Sequence, residues 1–176
     1  DTVVILGTGP IGLFHLIKAN LMGAGKIYSV DPYKFRTSLA KEFGATEIIN
    51  ANANDPVSEI RELTHGEGVH KTLEASSAPS ARQAAVQAVR SWGVACFVGE
   101  RGNVALDVSP DLLRRQVTLV GSWTFSTQGQ SDCAEFVADN NIDVEALFTD
   151  TWSLDQAQQA YEKFDTQTTG KGVIIP

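Results

Sequence analysis

What this sequence has little of narrows the reading first. Its two cysteines, Cys96 and Cys133, lie far apart and form no CxxC pair, so neither a disulfide framework nor a cysteine-based metal motif is indicated. Cys96 sits inside the apolar run "GVACFVG", where a thiol reads as a small buried hydrophobe. Positive charge is scarce: 14 Lys and Arg stand against 21 Asp and Glu, a formal charge of −7. That balance argues against nucleic acid as a partner, since binders of phosphate backbones collect basic residues on one face. No run of about 18 apolar residues exists, so no membrane span is predicted. No charged segment followed by an apolar stretch opens the chain, and no secretory signal is read. These features favour a soluble protein of a reducing compartment, with a cytoplasmic location as the expectation.

What is present suits an ordinary globular domain. The chain has 176 residues, 43% of them hydrophobic and 20% charged, enough for one sizeable α/β core. Asp1-Thr2-Val3-Val4 runs straight into an apparent core strand. The expectation is therefore a piece of a longer protein, with an N-terminal domain of about 150 residues ahead of it.

Short apolar runs alternate with helical patterns. Strands are predicted at Val3 to Leu6, Ile27 to Val30, Glu47 to Ile49, Val69 to Leu73, Val94 to Val98 and Val117 to Val120. Helices are predicted at Ile11 to Met22, Tyr33 to Phe43 and Val57 to Thr64, the last opened by Asp55-Pro56 as N-cap and N1 proline. Ser80 to Gln83 has capping-box form and opens a further helix that Gly93 is expected to close. Val104, Leu106 and Val108 alternate with Ala105 and Asp107, which predicts an extra strand. Strands spaced by helices of this length imply crossovers and a parallel sheet. The fold class is α/β, a doubly wound sheet over residues 1–123, and residues 124–176 form a helical and strand tail. In that tail "TFSTQGQSD" reads as a polar linker, Cys133 to Asn140 as helix, Ser153 to Gln156 as a second capping box, and "GKGVIIP" as a final strand.

Gly7-Thr8-Gly9-Pro10-Ile11-Gly12 matches GxGxxG, following a strand and opening a helix as that motif requires. Gly7 permits the turn, Gly9 lets backbone approach a pyrophosphate, and Gly12 lets the helix pack closely on the sheet. Pro10 and Ile11 belong to the same cradle, where amides at a helix start face the phosphates. Asp31 ends the second strand about 20 residues beyond the last glycine, where a carboxylate accepts from both ribose hydroxyls. It would repel a 2′-phosphate, which favours NAD over NADP. Arg36 could reach the same ribose or the adenine and is the residue that softens this preference. Asp31 also reads as a helix N-cap before Pro32, a role compatible with the first. Methyltransferases using S-adenosylmethionine share a Gly-rich turn and a strand-two acid. They end in a reversed hairpin that is not seen here.

"DTVVILGTGPIGL", "SVDPYKFR", "AKEFGATEIINA", "GVHKTLEASSAP", "GVACFVGERG" and "VTLVGSWTFS" together resemble the cofactor-binding half of the zinc-containing medium-chain dehydrogenase/reductase superfamily, that of alcohol, polyol and threonine dehydrogenases. The resemblance implies a Rossmann sheet of six strands in the order 3-2-1-4-5-6. It departs from the zinc-independent quinone and enoyl reductase branch at Gly7 and Asp31. It also implies that Ala75 and Ser76 border the riboses and that Val98 and Gly99 lie under the nicotinamide. Val98 would offer its carbonyl to the carboxamide, and Ser122 and Trp123 would approach from the other side. For Trp123, ordinary interdomain packing is the alternative. Glu100 and Arg101 replace the usual apolar or small residues, and either face the cleft or pair with each other in a solvated loop.

The resemblance further implies a homodimer through the Val104 to Val108 edge strand, a small-molecule alcohol as substrate, and a catalytic zinc held by another domain. No ligand spacing joins His15, His65 or His70 to Cys96 or Cys133. The chain itself is therefore expected to hold no metal and no catalytic residue. The tail strand "KGVIIP" is expected to lack its usual neighbours. The alternative function is a stand-alone dinucleotide-sensing module that regulates a partner.

Overall fold

The β-branched run after Asp1 becomes the inner strand β1 (Thr2–Leu6) of the computed structural model, which describes residues 1–176. With β2 (Lys26–Asp31), β3 (Glu47–Asn50), β4 (Val69–Glu74), β5 (Val89–Phe97) and β6 (Thr118–Gly121) it forms one parallel sheet ordered β3-β2-β1-β4-β5-β6. This is the doubly wound order expected. The crossovers carry α1 (Pro10–Leu21), α2 (Lys34–Glu42), α3 (Pro56–Leu63) and α4 (Pro79–Ala88).

Strand alternation divides the apolar residues between two faces. Val4 and Leu6, in register with Tyr28 and Val30, join Ile49 and the inner sides of α3 and α4 at Ile60, Ala84, Ala85 and Ala88. Ile5 and Ile27 point the other way, and Leu13 and Leu16 of α1 are buried. Burying a Leu or Ile side chain contributes about 1.5–3 kcal/mol, so the two faces together hold the sheet.

Three local readings are corrected. Ser80 does not cap α4: the helix begins at Pro79 after Ala78, which offers no side-chain acceptor. Proline at the first helical position removes one of the amides that a helix start leaves without an acceptor. Gly93 does not close that helix either, because α4 runs directly into β5 at Val89 and Gly93 lies inside the strand. A Cβ on Gly93 would sit 2.4 Å from Val89 Cγ1 and 2.9 Å from the His70 carbonyl, where the pairing of β4 with β5 shifts register. Guanidinium groups cap α4 instead: Arg61 donates to Gln87 O at 2.7 Å, and Arg115 to Val86 O at 3.2 Å and to Val89 O. Finally, Val104 to Val108 is no strand. Residues 104–107 carry no ladder, and a π-helical turn, Val108–Leu113, begins where the strand was expected to end. A ladder needs a neighbour, and β6 already occupies β5's free side.

The chain divides into two compact units, Asp1–Ser122 and Trp123–Pro176. In the second, the expected linker is already helical: α5 (Thr127–Asp139) starts early because Ser126 Oγ accepts from Gly129 N at 3.0 Å. The Ser153 and Gln156 capping box is present as read, opening a short 3₁₀ turn before α6 (Ala157–Asp165). The tail strand β8 (Lys171–Ile175) does have a neighbour, since it pairs in parallel with β7 (Phe148–Ser153), a strand the sequence reading missed. Its "FTDTWS" lacks an apolar run and hides a βαβ unit tied by Lys163 to Asp150 at 2.8 Å.

The N-cap of α3 supplies a test. Asp55 accepts from the Ser58 hydroxyl at 2.6 Å and the Ser58 amide at 2.9 Å, bonds that hold its carboxyl below the usual range. A carboxyl lowered on folding stabilises above its unfolded pKa and loses that contribution as pH falls through its folded value. Asp55→Ala is expected to cost about 1 kcal/mol at pH 7. Melts repeated in acid should show the two proteins converging.

Candidate functional site

At the carboxyl end of β1, the chain must turn sharply into a helix on the Ile5 face. Gly7 makes that turn with φ of +87°, its amide donating to Val30 O at 2.8 Å. A Cβ there would stand 2.7 Å from Ser76 Cβ. Gly12, in the first turn of α1, lies so close to the incoming chain that a Cβ would fall 2.0 Å from Gly7 O. Gly9, the N-cap, is different: its nearest neighbour would be Arg36 Nη1 at 3.9 Å. It leaves an open backbone surface.

The amino end of α1 is electrostatically bare. Its N-cap offers no side-chain acceptor and its first turn holds no acidic residue. Pro10 has no amide to satisfy, and the amides of Ile11 and Gly12 have no acceptor inside the helix. Ile11 is half exposed beside them. Donors and dipole together make an anion cradle.

Asp31 stands at the end of β2 and is 2% exposed. Its Oδ2 accepts from Thr8 N at 2.8 Å and its Oδ1 from Tyr33 N at 2.9 Å. The carboxylate thus ties the glycine turn to the start of α2, and each oxygen keeps a second lone pair. It is not the N-cap of α2, a position Tyr33 takes. Arg36 reaches back from α2 toward Gly9, with its guanidinium 5.2 Å from the Tyr33 ring centroid.

The remaining expected residues follow β4 and β5. Ala75 N donates to Leu6 O at 2.8 Å, which draws the β4 loop against the end of β1. Ser76 is exposed, with its amide and hydroxyl both on Glu74 Oε1, at 2.6 and 2.7 Å. Val98 N and Gly99 N converge on Glu74 O at 2.8 and 3.0 Å. Ser122 N donates to Phe97 O at 2.9 Å, which sets it just beyond β6. Gly7, Gly9, Pro10, Ile11, Gly12, Asp31, Arg36, Ala75, Ser76, Val98, Gly99 and Ser122 all end a strand or follow the carboxyl end of one in the first unit. Trp123 opens the second unit and is 65% exposed. Glu100 and Arg101 are both exposed, and no ion pair joins them.

Two residues were missed, Glu74 and Arg82. Glu74 is fully buried at the end of β4, its Oε2 3.5 Å from Arg82 Nε. The available signal was an acid at the end of the fourth strand, two positions before Ser76. No three of the His, Cys, Asp and Glu residues come together as a metal-holding group. His15 contacts Ile11 O, His65 lies beyond α3, and His70 Nδ1 accepts from Thr2 N. Cys133 is exposed, and burial pushes the Cys96 thiol above its ordinary pKa. The residues of this chain do not fit a zinc ion. No helix is long and apolar enough to cross a membrane.

Sheet order and glycine turn define the Rossmann class of α/β domain. Residues 10–140 match the family model described as zinc-binding dehydrogenase. The chain belongs to that family, within the zinc-containing medium-chain dehydrogenase/reductase superfamily. It is similar to a zinc-type alcohol dehydrogenase-like protein of Escherichia coli (strain K12), at 33% identity over 99% of this chain and 49% of the relative. It is likewise similar to a sorbitol dehydrogenase of Bacillus subtilis (strain 168), at 34% identity over 93% of this chain and 46% of that protein. The crystal structure of benzyl alcohol dehydrogenase from Acinetobacter calcoaceticus superposes with a TM-score of 0.89 at 28% identity, covering 99% of this chain and 49% of that one. The chain spans about half the length of the curated relatives it matches.

The glycines give opposite expectations for stability. Gly12→Ala is expected to cost about 1–3 kcal/mol through overpacking against backbone. Gly9→Ala, with open space around it, should stay within about 1 kcal/mol of the native protein. Thermal or urea unfolding of both variants checks this.

Proposed function

We propose that this chain is the NAD(H)-binding half of a zinc-dependent alcohol or polyol dehydrogenase. The observation that carries the reading is the cradle at Gly7, Gly9 and Gly12: backbone without Cβ atoms, bare helix amides, and the Asp31 carboxylate bonded to the same turn. In this reading the amides of Ile11 and Gly12 donate to a pyrophosphate, and the Arg36 guanidinium beside Gly9 adds positive charge there. Asp31 accepts from the adenosine ribose hydroxyls through its remaining lone pairs and disfavours a 2′-phosphate, so NAD is taken rather than NADP. Ala75 and Ser76 border the riboses, while Val98, with its carbonyl toward the carboxamide, and Gly99 lie under the nicotinamide. Ser122 completes that end. Nicotinamide dinucleotide, when bound, supplies the carbon that accepts or returns a hydride.

The substrate is a small alcohol held outside this chain, and the catalytic zinc belongs to the remainder of the full-length protein. The chain alone binds the dinucleotide without turnover. It works in the cytoplasm, with neither nucleic acid nor membrane as a partner. Residues 104–107, which find no partner strand within one chain, pair with a second copy and complete a homodimer.

Titration of tryptophan fluorescence with NADH and NADPH tests the cofactor assignment. NADH is expected to bind at least about tenfold more tightly. Tighter binding of NADPH would overturn the role given to Asp31. Gly9→Ala should fold, yet bind NADH at least about tenfold more weakly than the native chain. Unchanged affinity would remove the glycine turn from the site.

A further inference from the structure

Glu74 and Arg82 form a buried ion pair that touches two loops at once. Glu74 Oε1 accepts from the Ser76 amide, the Ser76 hydroxyl and the Ser77 amide at 2.6, 2.7 and 2.7 Å, which folds the loop after β4 around one oxygen. Its other oxygen, Oε2, has no hydrogen-bond donor and faces Arg82 Nε at 3.5 Å. Arg82, on the first turn of α4 and 8% exposed, donates from Nη2 to Gly99 O at 2.5 Å. Its guanidinium lies 5.8 Å from the Phe97 ring centroid, and its Nη1 would stand 3.3 Å from a Cβ on Gly102.

The two loops are in contact under this pair. A Cβ on Gly99 would fall 2.5 Å from Ser77 N. Ser77, Arg101 and Gly102 all hold positive φ, at 69°, 68° and 75°. Left-handed backbone at a non-glycine residue persists only where its surroundings over-determine it. An apolar side chain at position 82 would pack at this depth without the desolvation that a charge suffers. What arginine adds is a rigid planar fork spanning a carboxylate and a carbonyl.

We infer that Arg82 is a positioning residue: through Glu74 and the Gly99 carbonyl it sets the spacing of the loops after β4 and β5, and thereby governs the nicotinamide end of the cleft rather than its adenosine end. The inference rests on the NAD(H) reading above for the identity of the ligand, but not for the lock itself.

The test compares native chain and Arg82→Met with two ligands, NADH and ADP-ribose, which lacks the nicotinamide. The native chain is expected to prefer NADH by about tenfold. In Arg82→Met, ADP-ribose should bind within about twofold of native, while NADH affinity falls about tenfold and the preference disappears. Equal loss of both ligands, or loss of neither, overturns the inference. A native chain that binds neither ligand overturns the cofactor reading instead.

Amide hydrogen exchange without ligand tests the lock independently. Ser76, Ser77, Val98 and Gly99 should exchange faster in Arg82→Met while Leu13 and Leu16 keep native protection, and native rates in both loops would overturn the positioning role. Should Arg82→Met not fold, Arg82→Lys carries the same measurements. A single ammonium keeps the charge but cannot span both partners, so NADH affinity alone should fall.

Discussion

Everything at the carboxyl edge of this sheet depends on one close approach, that of Gly12 to the carbonyl of Gly7. The space between them admits no Cβ, which would lie 2.0 Å from that oxygen. Because the gap is so small, α1 starts immediately beyond the end of β1 and aims its unsatisfied amides over the strand ends. The same compression brings Gly7 against Ser76 of the neighbouring loop. Since β2 and β4 flank β1 and their connections leave on opposite faces, the crevice at this point is the one that doubly wound sheets offer to ligands.

Two carboxylates hold the crevice's walls in complementary ways. Asp31 gives both oxygens to backbone amides, Thr8 on the glycine turn and Tyr33 before α2. Glu74 gathers the β4 loop on one oxygen and presents the other to Arg82, which in turn grips the β5 loop at Gly99. Buried charges of this kind are weak sources of stability, because desolvation offsets most of their attraction. Their effect is directional: amides that would otherwise be solvated or disordered point at fixed acceptors, and loop conformations with positive φ are retained. A site built this way is ordered before any ligand arrives.

The parts legible in sequence are those with a local cause. GxGxxG between a β-branched run and an apolar helix, and an acid ending the second strand, each constrain their own neighbourhood, and the structure brings Gly7, Gly9, Gly12 and Asp31 to one edge. Asp55-Pro56 and Ser153 to Gln156 likewise carry their capping acceptors within a few residues. Apart from Ser80, displaced as a cap because Pro79 opens the helix before it, the misreadings fall where the partner is remote. The end of α4 is satisfied by Arg61 and Arg115, far away in sequence, so Gly93 was assigned a helix end it does not make. Residues 104–108 have strand-like alternation, yet no ladder forms without a second strand beside them. β7 was missed because its residues are polar and its pairing with β8 joins segments on either side of a helix.

By itself the sequence determined the alternation of strands and helices, the glycine turn and the acid beside it, because each follows from the conformational freedom of a residue or the spacing of a few neighbours. The strand order, entering by resemblance, needed tertiary structure to realise it as a ladder of pairings. Only that structure decided that Glu74 and Arg82 would meet. Their pairing depends on the depth of a strand end, the pitch of a helix's first turn and a carbonyl on a third element, and no local pattern encodes a distance of that kind.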